Sequence, residues 1–315
     1  MHYRILGRTG LKVSLLSLGS GGARLMGQEQ GLTQNDQDKL VRRSLELGVN
    51  LFDTSPVYGH SEEILGHALK DVPRDQYILT SKCHLRKDDE PVTDVQSIYD
   101  DVETSLRRLR TDCIDIMLFH GMMPDEAYGE VVERLYPALE QLRMDGKIRY
   151  IGFSEPYAID AGHEAALMGL RNDPNLWDVI MLKYGILNQV AATEALSLSL
   201  KHDVGIMNMA AVRVKLPDPA LLEELIASWK ARGEIPEDSL PVQNPLGWLV
   251  NGDVDSVISA GYKFAADHPA IATVLTGTAT ISHLEQNARA LDHPALPESD
   301  KNRLIELFSH IVEYA

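Results

Sequence analysis

The sequence predicts an α/β protein, a (β/α)8 TIM barrel built as one domain over residues 1–315, on three observations. Eight short apolar runs recur along the chain, stretches with apolar residues at helical spacing separate them, and four polar residues that close or follow these runs have side chains suited to catalysis. Short buried runs read as strands, and in a parallel barrel all strand carboxyl ends open on one pocket, where residues from separate strands can meet. A length of 315 residues also accommodates two domains, but an α/β barrel commonly uses about 250 residues or more as one unit.

The first element is RILGRTGLKVS (4–14), two short extended stretches around Gly10, which reads as an N-terminal β-hairpin plug in the barrel floor. The strand candidates follow as LLSLGS (15–20), VNLFDT (49–54), YILTSK (77–82), IDIMLFH (114–120), IRYIGFS (148–154), WDVIMLKY (177–184), VGIMNMA (204–210) and IATVLTGT (271–278). Between them Ile98, Val102, Leu106 and Leu109 recur at helical spacing, as do Leu139 and Leu142 after Pro137, a residue suited to the first turn of a helix. Strands alternating with helices give a parallel sheet, and eight such units close a barrel. After the seventh run, a proline-rich segment (217–245) encloses the amphipathic LLEELIASWKARG and is expected to form a lid on the C-terminal face. Leu304, Leu307, Phe308 and Ile311 mark a final helix that packs on the barrel. There is no short repeat or low-complexity stretch beyond the βα alternation.

Bulk properties narrow the function. The 46 acidic against 30 basic residues give a formal charge of −16, which opposes binding to nucleic acid and to anionic membranes. No apolar run approaches a membrane span, and MHYRILGRTG lacks the apolar core of a secretory signal, so a cytoplasmic location is expected. The two cysteines, Cys83 and Cys113, have no metal-like spacing, so buried thiols are expected and no metal. Alternation along its strand would turn Cys83 to the face opposite Lys82.

Four residues carry the chemistry: Asp53 and Tyr58 in LFDTSPVYG, Lys82 in YILTSK and His120 in IDIMLFH. Singly, each has a structural reading, as an ion pair, a strand-end aromatic or a satisfied buried histidine. Together, and with LGRTGLKVSLLSLG, KIRYIGFSE, AADHPAIATVLTGT and HLEQNARAL in order, they make the chain resemble the aldo-keto reductase superfamily over nearly its whole length. The resemblance implies NAD(P)-dependent interconversion of an aldehyde or ketone and its alcohol, with these four as the catalytic group. The chemistry agrees. Reduction needs a proton on the carbonyl oxygen as well as a hydride on carbon. A tyrosine at its ordinary pKa of about 10 releases a proton too reluctantly, but an adjacent ammonium lowers it. Lys82 supplies that ammonium, Asp53 holds it charged, and a neutral His120 orients the carbonyl and can pass a proton.

The resemblance also places the nicotinamide carboxamide near Ser154, Glu155 and Lys183, with Tyr184 stacking on the ring, Arg213 on the pyrophosphate path, and Gly277, Thr278, His283, Gln286 and Asn287 at the adenosine end. Barrel reductases have no glycine-rich GxGxxG, so its absence here is expected. Glu155 and Lys183 stand where the family usually has Asn and Gln. They can still accept from and donate to the carboxamide, or they can pair with each other. Gly277 and His283 stand where many members carry Lys and Arg against a 2'-phosphate, so the expectation is NADP with NAD as a contender. Substrate contacts are expected from Gly22, Arg24, Tyr58, His84 and His120, and from the lid near Trp229. Their mixed polarity suggests a sugar-like or other small polar carbonyl. The competing functions are a nicotinamide-sensing regulatory subunit with little turnover, and Schiff-base chemistry at Lys82, which Asp53 opposes by keeping the amine charged.

Overall fold

Alternation along each apolar run sorts its side chains to two faces, and this sorting builds the barrel wall. The computed structural model describes residues 1–87, 90–124, 126–156 and 158–313. An antiparallel hairpin of β1 (Tyr3–Ile5) and β2 (Lys12–Ser14) comes first. The barrel then opens with β3 (Leu16–Gly19), β4 (Leu51–Asp53) and β5 (Ile78–His84). A small ladder of β6 (Arg86–Lys87) and β7 (Glu90–Pro91) follows. The remaining staves are β8 (Ile114–His120), β9 (Ile148–Ser154), β10 (Val179–Lys183), β11 (Gly205–Met209) and β12 (Ile271–Thr276), and β12 pairs in parallel with β3 to close the barrel.

The helices are α1 (Gln34–Glu46), α2 (Ser61–Ala68), α3 (Gln96–Leu109), α4 (Glu126–Glu130), α5 (Tyr136–Met144), α6 (Glu164–Asn172), α7 (Ala195–His202), α8 (Pro219–Ala231), α9 (Val257–Asp267), α10 (Ile281–Ala290) and α11 (Glu298–Phe308). None among the described residues is long and apolar enough to cross a membrane.

Two apolar layers result. Leu51, Ile78, Ile116, Leu118, Val179, Met181 and Met207 point inward and are joined by Leu6 and Val13 of the hairpin region, so the hairpin does plug the floor. Phe52, Leu79, Met117, Phe119, Ile180 and Leu182 point outward onto helix residues such as Ile98, Val102, Leu139 and Phe264. Each fully buried side chain of this size contributes roughly 1.5–3 kcal/mol. The floor is tight enough to demand glycine: a Cβ on Gly7, whose φ is +47°, would lie 2.3 Å from the Gly205 nitrogen. Cys83 is buried in the outer layer, as alternation requires, and both cysteines are free thiols.

The segment after β11 carries the expected helix, started by Asp218 capping the Ala220 and Leu221 amides. Trp229, expected near substrate, is instead fully buried. Its ring lies 5.2 Å from Phe308 of α11 and its Nε1 donates to Glu313 at 2.9 Å, so it serves to dock α8 on the C-terminal helix. Glu313 also pairs with Lys215, which ties the start of this segment to the chain end.

Candidate active site

The inward parity of β4, β5 and β8 carries Asp53, Lys82 and His120 to the same end of the barrel. Lys82 is 1% exposed and donates from Nζ to Asp53 Oδ1 and to the Thr54 carbonyl, each at 2.8 Å. Tyr58 comes from the loop after β4, held by a turn in which its amide donates to the Ser55 carbonyl at 3.1 Å. The Lys82 ammonium lies 4.9 Å from the centre of the Tyr58 ring and is in hydrogen-bond and charge contact with its phenol. Gly21 admits that ring: a Cβ there would be 2.6 Å from it. The His120 ring stands perpendicular to Tyr58 at 5.7 Å.

Burial works against the Lys82 ammonium, but Asp53 and then Tyr58 outweigh it and hold its pKa above the ordinary value. Burial likewise raises the Asp53 carboxyl, with Lys82 opposing. The geometry favours the ion pair, since the ammonium has two oxygens at hydrogen-bond distance. His120 is pushed down to about 3, first by burial and then by Lys82 and His84. It is therefore neutral at physiological pH, which suits it to orienting a carbonyl and not to carrying a proton. Ser55 was not singled out from the sequence. It is fully buried and its Oγ lies 3.2 Å from His120 Nδ1. Its position two residues after Asp53 was the only signal.

The opposite side of the mouth departs from expectation. Ser154 is buried and its Oγ accepts from the Gly121 amide at 3.1 Å. Glu155 Oε1 is taken by His163 Nδ1 at 2.7 Å and by the Lys183 amide at 3.0 Å, while Oε2 is buried with no hydrogen-bond partner among the described residues. The carboxylate thus pairs with His163 and not with the Lys183 ammonium. Lys183 shares the inward parity of Val179 and Met181, and burial, followed by Lys215 and Arg213, lowers it to about 8 against the opposing pull of Glu155 and Glu313.

Tyr184 requires a correction. It follows Lys183 and so faces the other way, stacked on Phe264 of α9 at 5.5 Å and 26°, with its amide and carbonyl both bonded to the Asn208 side chain. A ring in the layer between barrel and helix cannot stack on a ligand in the mouth. The inward side chain beside Lys183 is Met209, its register partner on β11.

Arg213 reaches toward the β3 loop, where a Cβ on Gly22 would be 3.8 Å from its Nη1. Gly277 closes on the same loop, 3.5 Å from the Gly21 oxygen by the same measure. Thr278 is held in a turn with Thr280, and the Asn287 amide nitrogen donates to Thr276 Oγ1 at 2.9 Å. His283 and Gln286 are exposed on α10, whose first turn receives no side-chain cap from Thr280. Of the expected substrate contacts, His84 sits beside His120 in register and gives both its amide and Nδ1 to Asp101 at 2.9 Å. Gly22 neighbours Arg213, and Arg24 is exposed on the turn after β3. Among the described residues, no cluster of three or more His, Cys, Asp or Glu could hold a metal ion.

Known proteins match this chain along most of its length. The aldo/keto reductase family model matches residues 17–308. L-galactose dehydrogenase of Arabidopsis thaliana is 28% identical over 330 residues, 98% of this chain and 93% of that protein. The NADH-specific methylglyoxal reductase of Escherichia coli is 32% identical over 212 residues, 61% of this chain and 62% of the other. Among solved structures, an aldo-keto reductase from Bacillus halodurans in its holo form aligns with a TM-score of 0.74 at 25% identity, covering 99% of this chain and 98% of that one. With a family match across nearly its whole length and the closed eight-stranded barrel to go with it, this chain belongs to the aldo/keto reductase family.

Proposed function

We propose that the protein is an NAD(P)-dependent oxidoreductase that interconverts a small polar aldehyde or ketone, sugar-like by preference, and its alcohol, with Tyr58 as general acid and base. One observation carries this reading: the Tyr58 phenol is in contact with a buried ammonium, Lys82, that Asp53 holds at 2.8 Å. An adjacent cation favours phenolate, so the phenol proton moves more readily near neutral pH. The nicotinamide, when bound, supplies the hydride. His120 orients the carbonyl oxygen. Lys183, Arg213 and Lys215 gather positive charge at one side of the mouth of an otherwise acidic chain, which suits a pyrophosphate. Glu155 Oε2 and the Lys183 ammonium are the groups offered to the carboxamide.

NADP is the proposed cofactor and NAD the alternative, because no Lys or Arg stands at Gly277 or His283. The relatives named for L-galactose and methylglyoxal support a small polar substrate. A cytoplasmic location goes with the two free thiols. The second reading, a nicotinamide-sensing subunit with little turnover, is favoured by the loss of Tyr184 from the ring site and the commitment of Glu155 to His163. Titrating NADPH and NADH by fluorescence and screening aldehydes and sugars for their oxidation separates the two. Tight binding with no oxidation by any carbonyl would leave the sensing role.

A further inference from the structure

We propose that Ser55 sets the tautomer of His120, donating its hydroxyl proton to Nδ1 so that the ring proton sits on Nε2 and the imidazole meets the substrate carbonyl as a donor. This deepens the carbonyl-reductase reading and rests on it for its functional meaning. The argument is one of hydrogen-bond accounting. A serine hydroxyl has one proton to give and two lone pairs to receive. Ser55 Oγ is fully buried; it receives the Val57 amide at 3.4 Å, and its other neighbour among the described residues is His120 Nδ1 at 3.2 Å.

Suppose instead that Nδ1 carried the proton and donated to Oγ. The serine proton would then be a buried donor without an acceptor, which is costly. With Ser55 as donor, both its hydroxyl and Nδ1 are satisfied and Nε2, on the far side of the ring, bears the hydrogen. Because the ring is held neutral, its pKa near 3, it has a single N–H to place. That placement decides whether His120 shares the carbonyl oxygen with the Tyr58 phenol or repels it. Ser55 is thus a positioning residue. It acts on the substrate only through His120.

Long-range 1H–15N spectra of the labelled full-length protein read the two ring nitrogens directly, with His120→Gln identifying the signals among 11 histidines. The wild type is expected to show an unprotonated Nδ1 and a protonated Nε2. Ser55→Ala should give a mixture of tautomers and Ser55→Thr should return the wild-type pattern. In turnover, Ser55→Ala should lower kcat about tenfold with cofactor affinity unchanged, and Ser55→Thr should restore it. A wild-type ring protonated at Nδ1 overturns the proposal, and needs no variant to fold. So does a Ser55→Ala spectrum identical to wild type. Since the spectra require neither cofactor nor substrate, failure to find any carbonyl turnover would sink the proposed function and leave the tautomer measurement to decide this one.

Discussion

Lys82 and Lys183 occupy matching places and behave in opposite ways. Both are inward-facing at the carboxyl ends of barrel strands and both are nearly inaccessible, at 1% and 4% exposure. Burial weakens either ammonium. For Lys82 the neighbouring strand offers Asp53 at 2.8 Å, and the charge is held. For Lys183 the register partner is Met209, the nearby carboxylate of Glu155 is turned to His163, and the pKa falls to about 8. One half of the mouth therefore holds its cation charged beside a phenol. In the other half burial weakens the cation, and no carboxylate among the described residues is placed to restore it to its ordinary strength.

The sharpest way to break this comparison is Tyr58→Phe, which should lower kcat by roughly 10²–10⁴ with cofactor affinity intact. Steady-state kinetics that show near-wild-type turnover would remove the phenol from its role. Next comes Asp53→Asn, which strands the Lys82 charge and should cost about 3–5 kcal/mol in denaturant unfolding. A cost near zero would mean that something other than Asp53 keeps Lys82 protonated.

His120 should then make stability depend on acid. Between its ordinary 6.5 and about 3, the unfolded chain binds a proton that the native ring refuses, so stability is full above pH 6.5 and falls as pH drops through that window. His120→Gln should flatten this slope in pH-resolved melts. The smallest effect is expected at Lys183. Below about pH 8 the native state bears the cost of its buried charge, so Lys183→Met should stabilise the cofactor-free protein by roughly 1–3 kcal/mol. From about 8 to 10.5 the unfolded chain keeps the proton that the native chain releases, stability rises with pH, and the advantage of Lys183→Met should shrink. A constant gap across that range would show that Lys183 is not held near neutrality.

Strand alternation made half of this site legible. Asp53, Lys82 and His120 each lie at or next to the end of an apolar run, and parity alone sends them inward and Cys83 outward. Parity applied to WDVIMLKY also sends Lys183 inward and Tyr184 outward, yet resemblance suggested a ring-stacking role for Tyr184, and the alternation is what the folded chain obeys. His163, the partner of Glu155, was not visible because it comes from the loop before α6, eight residues along, with no periodic relation to β9. Trp229 was misplaced for a related reason: its amphipathic helix identified a buried face but not the surface that buries it.

By itself, then, the order of residues determined the number of staves and the shared inward parity of Asp53, Lys82 and His120, because period-two alternation and run length are local properties that survive any packing of the helices around them. The folded arrangement alone decided which buried charges are matched, that Asp53 meets Lys82 while Glu155 meets His163, and that Ser55 touches His120. Those contacts depend on ångström-scale distances between strands and loops far apart in the chain, and a charge inside a protein keeps or loses its proton on that scale.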